Sequence, residues 1–201
     1  MVKPLGLIAT IGYDIRCKAE WCYQSGDAKQ RFKVLFTDGT AAMIVYRLMQ
    51  WSRRWKLVPL ELFFNKLNAV ANHCIIGRGA EFGPGFVLIH CVGVVINGKV
   101  RGGSKIFIEH QVTIGAERQT SPEIGDDCFF GAGAKVIGGV KIGHGAKVGA
   151  NAVVVEDVPD YCTVAGVPAK IVRRRSPPDA QIAASEERMP AEVEPGQRIE
   201  P

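Results

Sequence analysis

Large apolar side chains recur every six residues along the second half of the chain. The series begins at Ile76, is interrupted where Arg118 would stand in the apolar column, and resumes in the same register at Ile124. Its members are Ile76, Phe82, Leu88, Val94, Val100, Ile106, Val112, Ile124, Phe130, Val136, Ile142, Val148 and Val154. An amphipathic helix would space them by three and four residues, and a hairpin stack would carry a two-residue turn between strands. The period instead predicts a coil of short parallel strands about 4.8 Å apart, in which each repeat buries its column only against its neighbours.

Two further positions of each hexad support this interpretation. The position after the apolar residue is often glycine, which gives the backbone freedom near a corner. A narrow interior holds one large and one small side chain per face, so the fifth position should be small. It is so at Ala80, Ser104, Cys128, Ala134, Ala146 and Ala152. Counted in this register, His110 also falls at the fifth, inward position.

The repeat divides the chain into three regions. Residues 75–172 form the predicted β-helix, from which the polar segment 116–123 is extruded as a loop. Residues 1–74 lack the period, and two helices are predicted there, over 40–56 and over 59–71. Residues 173–201 begin with a basic turn and continue as a polar, acidic stretch with little to bury, which predicts a disordered tail. The fold class is therefore mainly β, with an N-terminal helical segment.

Composition excludes several functions. The net charge of +5 is not gathered into a basic block with interleaved aromatic residues, which argues against nucleic acid as a partner. The six cysteines contain no C-x-x-C pair with zinc spacing, and no apolar run approaches the roughly 18 residues of a transmembrane segment. We therefore expect a cytoplasmic protein with reduced cysteines. Trp51, Arg53, Arg54 and Trp55 raise the alternative of a peripheral position at the inner membrane, against the simpler interpretation of a packed helix with a solvated basic face.

Four segments of the repeat carry a specific resemblance. They are residues 83–97 (GPGFVLIHCVGVVIN), 112–115 (VTIG), 124–138 (IGDDCFFGAGAKVIG) and 165–172 (AGVPAKIV). Over roughly residues 60 to 172, the chain resembles the serine acetyltransferase-like group of hexapeptide acyltransferases. The resemblance implies a left-handed β-helix, a homotrimer, and acetyl-CoA lying in the groove between adjacent subunits, with no metal. Handedness and trimer do not follow from the period itself.

The resemblance also assigns a catalytic residue. His90 stands at the position of the family's general base, and acetyl transfer to a hydroxyl needs a base of near-neutral pKa that takes the hydroxyl proton. His110, about one coil further on, and Asn97 are candidates for the acceptor side, and His110 has the alternative of filling the core. A Cys91–His90 nucleophile is disfavoured, because consecutive residues of an extended chain point to opposite sides.

For acetyl-CoA, the resemblance implies that the pantetheine arm lies along Ala132 and Ala150. Lys135, Lys170 and Arg173 are the candidates for the CoA phosphates, with exposed corners that bind nothing as the alternative. A zinc-dependent carbonic anhydrase of the same coil would need two histidines close together on one coil, and no pair of the four has that spacing.

The chain departs from the family on the acceptor side. Ile75 and Ile89 stand where acidic residues are expected, and about Ser121 stands where a second functional histidine is expected. A small zwitterion needs charged partners for both of its ends, whereas a saccharide needs only neutral hydrogen bonds. We therefore expect a sugar or polysaccharide-precursor hydroxyl as the acceptor. The alternatives are serine O-acetylation in cysteine biosynthesis and a non-catalytic hexapeptide scaffold.

Overall fold

The computed structural model describes residues 6–177, in which helices come first and short strands follow. The helices are α1 (Leu7–Tyr23), α2 (Ala28–Val34), α3 (Thr40–Arg54) and α4 (Val58–Ala71). The strands are β1 (Ile75–Ile76), β2 (Glu81–Phe82), β3 (Phe86–Leu88), β4 (Val95–Ile96), β5 (Arg101–Gly102), β6 (Ile106–Ile108), β7 (Thr113–Gly115), β8 (Glu123–Ile124), β9 (Phe129–Phe130), β10 (Lys135–Ile137), β11 (Lys141–Ile142), β12 (Lys147–Val148), β13 (Val153–Val154), β14 (Cys162–Ala165) and β15 (Lys170–Arg174). None of the helices in this range is long and apolar enough to cross a membrane.

The strands wind into a solenoid with three faces. The first sheet has the order β1-β4-β7-β10-β13, the second β11-β8-β5-β2, and the third β15-β14-β12-β9-β6-β3. All neighbours are parallel except β14 and β15, which pair antiparallel. The predicted parallel coil is therefore confirmed. The last strand runs from Lys170 to Arg174, so Arg173 belongs to a strand where a basic turn was predicted.

The register of the second coil differs from the strict six-residue count. Ile76 pairs with Ile96, and Leu88 pairs with Ile108, which is 20 residues further on. Two extra residues between Leu88 and Ile96 shift the hexads, so Val94, Val100, Ile106 and Val112 occupy the second inward column and not the first; all four remain fully buried. The extruded loop inserts four more residues. With the two inserted before Ile96 they make one full hexad, so the series resumes in its original phase at Ile124.

The two-residue shift corrects the expectation for His110. Since His110 follows Ile108 as His90 follows Leu88, it lies outside the coil at a corner, with 46% of its side chain exposed. The prediction that it faces inward is wrong. The loop itself is a tight turn, in which Glu117 and Thr120 exchange two backbone hydrogen bonds of 3.0 Å.

The N-terminal region contains four helices where the sequence analysis predicted two. The helices α3 and α4 occupy the two predicted segments, whereas α1 and α2 were missed. Helix α1 buries Asp14 and Lys18 beside Cys17 and Ala19, so its buried face is not an apolar stripe. Helix α2 has only seven residues and is capped by Asp27, whose side chain accepts a hydrogen bond from the Gln30 backbone N–H.

A buried ion pair fastens these helices to the first coil. Arg47 of α3 donates to Asp14 of α1 at 2.7 Å and to the carbonyls of Phe82 and Gly83 at 2.8 and 2.7 Å. Asp14 also accepts from the Gly85 backbone N–H at 2.7 Å. The pair is therefore hydrogen-bonded on both sides, as a buried pair must be if it is not to destabilise the fold. It fixes α1 and α3 against the part of the coil that leads to His90.

The end of α1 lies against the outer face of the third sheet. Trp21 stacks on Phe107 and Phe129, with ring centroids 4.7 and 5.3 Å apart. Lys18, one turn earlier on the same helix, is thereby brought to the corner of the coil that carries the two histidines. The predicted disordered tail beyond Ser176 lies almost wholly outside the described residues.

Candidate active site

Four of the predicted site residues form one ladder along the coil axis. Leu88, Ile108, Phe130 and Val148 are register partners in successive coils of the third sheet. The residues two positions further on stand at the corner between the third and first sheets, and they are His90, His110, Ala132 and Ala150. We call this the histidine corner. Successive rungs are about 4.8 Å apart, as in any parallel sheet.

His90 lies beside a carboxylate that the sequence analysis did not identify. Its Nδ1 is 3.3 Å from Oδ2 of Asp38, and half of the His90 side chain is exposed. When an acidic group accepts from Nδ1–H, the lone pair of the neutral ring is on Nε2, which is the tautomer a general base requires. Asp38 is thus an acidic neighbour of His90, which Ile75 and Ile89 cannot be.

Asp38 reaches His90 because the next residue is glycine. Gly39 adopts a φ of +78° at the N-terminus of α3, and a Cβ there would lie 2.3 Å from the Leu88 carbonyl oxygen. Only glycine tolerates both this backbone conformation and this close approach. The approach holds the start of α3 against β3, two residues before His90. In the sequence, Asp38-Gly39-Thr40 is typical of a helix start and does not indicate a contact with His90.

Lys18 is a second residue that the sequence analysis missed. It is fully buried, and its ammonium group donates to the backbone carbonyl of Asp38. Burial lowers the pKa of Lys18 from 10.5 to about 8, and the nearby Cys22, Cys91, Asp38 and Glu109 act in the opposite direction. The helix α1 thus adds a fixed donor behind the carboxylate that contacts His90.

His110 has a carboxylate of its own. Its Nδ1 is 3.5 Å from Oε2 of Glu109, and its ring lies 6.0 Å from that of His90, with an interplanar angle of 74°. Two histidines, each beside an acidic side chain, therefore occupy adjacent rungs of the same corner.

The remaining predicted residues lie elsewhere. Asn97 stands at the corner between the first and second sheets, where its Oδ1 accepts from Ser121 Oγ at 3.3 Å and from the Lys99 backbone N–H at 2.9 Å. Because Asn97 and His90 lie at different corners of the coil, one chain does not bring them together.

Of the basic residues, Lys135 lies nearest the ladder. Its ammonium group donates to the carbonyl of Gln111, the residue that follows His110. Lys170 and Arg173 lie on the last strand of the third sheet, and Lys170 is 3.4 Å from Glu156. They are therefore at the C-terminal end of the coil, beyond the rung of Ala150.

A groove of about 700 Å³ lies away from this ladder, on the second sheet. It is lined by His144, Asp126 and Asp160 among others, and these polar groups satisfy the backbone: His144 Nδ1 accepts from the Asp126 N–H at 3.0 Å, and Asp160 accepts from the His144 N–H at 2.7 Å. None of the predicted site residues lines it. Within residues 6–177, no three His, Cys, Asp or Glu side chains are grouped to hold a metal ion. The histidine corner is therefore the better candidate for chemistry.

Sequence comparisons point to one group of enzymes. The family profile described as bacterial transferase hexapeptide (six repeats) matches residues 121–155. The serine acetyltransferase of Salmonella typhimurium is 34% identical over 143 residues, which cover 69% of this chain and 52% of that protein. The serine acetyltransferase of Bacillus subtilis is 32% identical over 154 residues, which cover 74% and 71%. The chain thus spans between about half and seven tenths of the length of these relatives.

Solved structures agree with the sequence comparisons. A serine acetyltransferase in complex with CoA superposes with a TM-score of 0.76 at 30% identity, covering 83% of this chain and 69% of that one. The serine acetyltransferase of Neisseria gonorrhoeae superposes with a TM-score of 0.76 at 30% identity, covering 88% and 70%. The predicted left-handed parallel β-helix is therefore confirmed as the fold class.

Proposed function

Because the chain belongs to the serine acetyltransferase family of hexapeptide-repeat transferases, we propose that it transfers an acetyl group from acetyl-CoA to a hydroxyl group, with His90 as the general base. The observation that carries the proposal is the contact of 3.3 Å between His90 Nδ1 and Asp38. A half-exposed histidine oriented by a carboxylate is the arrangement that base catalysis of acyl transfer requires.

The ladder of the histidine corner suits the thioester substrate. Beyond the two histidines, the rungs are Ala132 and Ala150, and their methyl groups leave the adjacent backbone accessible to an extended pantetheine arm. Lys135 flanks the same corner, and Lys170 and Arg173 lie beyond the last alanine, where the phosphates of a molecule that extends past Ala150 would lie. The charge and the order of these residues both support acetyl-CoA as the donor.

Proton transfer follows from this geometry. His90 Nε2 accepts the proton of the acceptor hydroxyl while the hydroxyl oxygen attacks the thioester carbonyl carbon. When the carbon–sulfur bond breaks, the His90 imidazolium returns that proton to the departing thiolate. Asp38 stabilises the transient positive charge and keeps the ring in the required orientation, so it acts as a positioning residue.

We assign His110 to the carbonyl oxygen of the thioester. It stands on the rung between His90 and Ala132, so a thioester whose arm follows the alanines passes His110 before it reaches the base. An imidazolium at His110 pairs with Glu109 through Nδ1–H and has its Nε2–H available to stabilise the oxyanion that forms on attack.

For the acceptor, we propose the hydroxyl of L-serine. The named activity of the relatives supports this choice, and one of the solved neighbours is a complex with serine. The expectation of a sugar rested on missing charge, but Asp38 and Glu109 bring two carboxylates to the histidine corner that an ammonium group can use. A sugar hydroxyl remains the second candidate, because Ile75 and Ile89 are neutral where the family resemblance expects acidic groups.

A panel assay tests the proposal. The purified protein is incubated with acetyl-CoA and either L-serine or a set of nucleotide sugars and oligosaccharides, and acetylated products are identified by mass spectrometry. We expect O-acetylserine with a kcat/KM near or above about 10⁴ M⁻¹s⁻¹, as for a true substrate. Acetylated saccharide without O-acetylserine would replace serine by the second candidate. If neither product forms and calorimetry detects no heat of CoA binding at about millimolar ligand, the result would support a non-catalytic scaffold.

A further inference from the structure

Apolar and basic side chains share one exposed surface where α3 ends and α4 begins. The bulky apolar residues are unusually exposed for a folded protein, with 64% of Trp55 and 58% of Phe63 accessible. We call this surface the junction patch, and it consists of Arg54, Trp55, Lys56, Leu57, Val58, Leu62, Phe63 and Lys66, all of them exposed. Contiguous apolar surface of this kind on a soluble domain marks an interaction site.

One face of α4 remains exposed although the helix packs against α3 and the first coil. Its opposite face buries Glu61 and Asn68, and Asn68 donates to the Ala42 carbonyl at 3.1 Å. Helix α4 is thus fixed against α3 and the first coil, and Val58, Leu62 and Phe63 point outward. Their exposure follows from the rigid packing of α4 and not from a loose segment.

The charge of the patch is positive. The sole acidic residue between Gln50 and Lys66 is Glu61, which is buried and paired with Arg53 at 3.1 Å and with Arg78 at 3.9 Å. Arg54, Lys56 and Lys66 form no ion pair within residues 6–177. The junction patch therefore carries three cations, and residues 50–66 contribute no exposed carboxylate to it.

We propose that the junction patch binds the surface of an anionic phospholipid bilayer. Tryptophan and phenylalanine insert at the boundary between head groups and acyl chains, while lysine and arginine contact lipid phosphates. A second copy of this chain fits less well, because it would bring the same three cations together, and lysine is depleted in the centre of protein interfaces. The binding is peripheral, through one face of a short helix and the turn before it.

The geometry keeps the histidine corner free. Asp38 lies two residues before the start of α3 and Trp55 directly follows its end, so the 15 residues of the helix separate the two by about 22 Å. A bilayer bound at the junction patch therefore lies at the far end of α3 from His90.

Vesicle flotation tests the proposal with the full chain. Vesicles of phosphatidylcholine alone are compared with vesicles that contain about 30% phosphatidylglycerol, at about 0.1 M and about 0.5 M salt. We expect flotation only with the anionic vesicles, weakened by high salt. In the double variant Trp55→Ala, Phe63→Ser, the partition coefficient should fall at least about 10-fold.

A matched control separates the patch from exposed aromatics in general. Phe32 and Phe36 on α2 are 63% and 78% exposed and lie outside the patch, so Phe32→Ser, Phe36→Ser should float within about twofold of wild type. Equal loss in both double variants, or flotation with neutral vesicles alone, would overturn the proposal. So would a smaller assembly of the patch variant in sedimentation velocity, since the patch would then be an interface between copies. Acetyl transfer in solution is measured without vesicles, so failure here is distinguishable from failure of the proposed function.

Discussion

Asp38 and His90 are 52 residues apart in the chain. Backbone contacts, more than side-chain contacts, bring them together. Gly39 lets the start of α3 touch β3, and Lys18 holds the carbonyl of Asp38 from the other side. A sequence pattern reports neighbours along the chain or along a repeat, and neither kind relates position 38 to position 90. The motif therefore singles out His90 as a candidate, whereas no pattern in the sequence indicates Asp38.

At the residue scale, the first prediction concerns the base itself. His90→Ala should lower the rate of acetyl transfer by about 10² to 10⁴, because no other group takes the hydroxyl proton. The residue stands at a half-exposed corner, so circular dichroism and the melting temperature should change little. Thiol release from acetyl-CoA measures the rate. A folded variant that turns over at the wild-type rate would end the assignment of His90.

The second prediction separates positioning from binding at Asp38. Asp38→Asn should lower kcat by about 10-fold to 100-fold and leave the KM for acetyl-CoA unchanged, because the carboxylate contacts the base and not the donor. Asp38→Glu, which restores the charge, should recover part of the loss. Steady-state kinetics of the three proteins measure both parameters. An equal loss in the Glu variant would mean that Asp38 acts only through the structure of the turn.

The third prediction distinguishes two roles for His110. If its ring N–H stabilises the oxyanion, His110→Ala should cost about 10² to 10³ in kcat, and His110→Gln should cost less because glutamine keeps an N–H donor. Substrate saturation curves for both variants provide the comparison. A rise in the KM for the acceptor with kcat preserved would instead make His110 an acceptor-binding residue.

At the scale of elements, the repeat predicts the coil well but leaves its register ambiguous. Each hexad directs two residues inward, two positions apart, and both columns are apolar. An insertion of two residues therefore exchanges one column for the other without disturbing the apolar pattern, as happens between Leu88 and Ile96. His110 was misplaced for this reason. Helix α1 was missed for a different one, since its buried face includes Asp14 and Lys18.

The fourth prediction follows from the buried lysine of α1. The pKa of Lys18 is lowered to about 8 in the folded protein from 10.5, so between these values the unfolded chain binds more protons than the folded one. The contribution of Lys18 to the free energy of unfolding therefore rises between about pH 8 and about pH 10.5, by up to about 3 kcal/mol. Below pH 8 the free-energy cost of burying the charged ammonium group is fully present.

Urea unfolding of wild type and Lys18→Met between pH 7 and pH 10 measures the effect. Burial raises the pKa of the thiols of Cys17, Cys74, Cys91 and Cys128, which lowers stability at high pH in both proteins, so the informative quantity is the difference between the two. As the pH rises, the free energy of unfolding of wild type should increase relative to that of the variant. A constant difference would mean that Lys18 remains charged throughout.

At the scale of the whole molecule, the candidate site residues are divided between two corners of the coil. His90 and the alanines lie at one corner, whereas Asn97 and Ser121 lie at another. The family resemblance implies a homotrimer with the donor between adjacent subunits. In such an assembly, the second corner of one subunit can face the histidine corner of the next, which a single chain does not allow.

The fifth prediction tests this arrangement by mixing two inactive variants. His90→Ala removes the base, and Asn97→Ala removes the proposed acceptor contact, each from a different corner. If a site takes His90 from one subunit and Asn97 from its neighbour, then each trimer that contains both variants has about one third of its sites intact. Co-expression of the two variants with different tags, purification through both tags and thiol-release assays should thus recover about one third of wild-type activity. Activity no greater than the sum of the separate variants would show that each site is built within one chain, and near-wild-type activity of Asn97→Ala alone would remove Asn97 from the site.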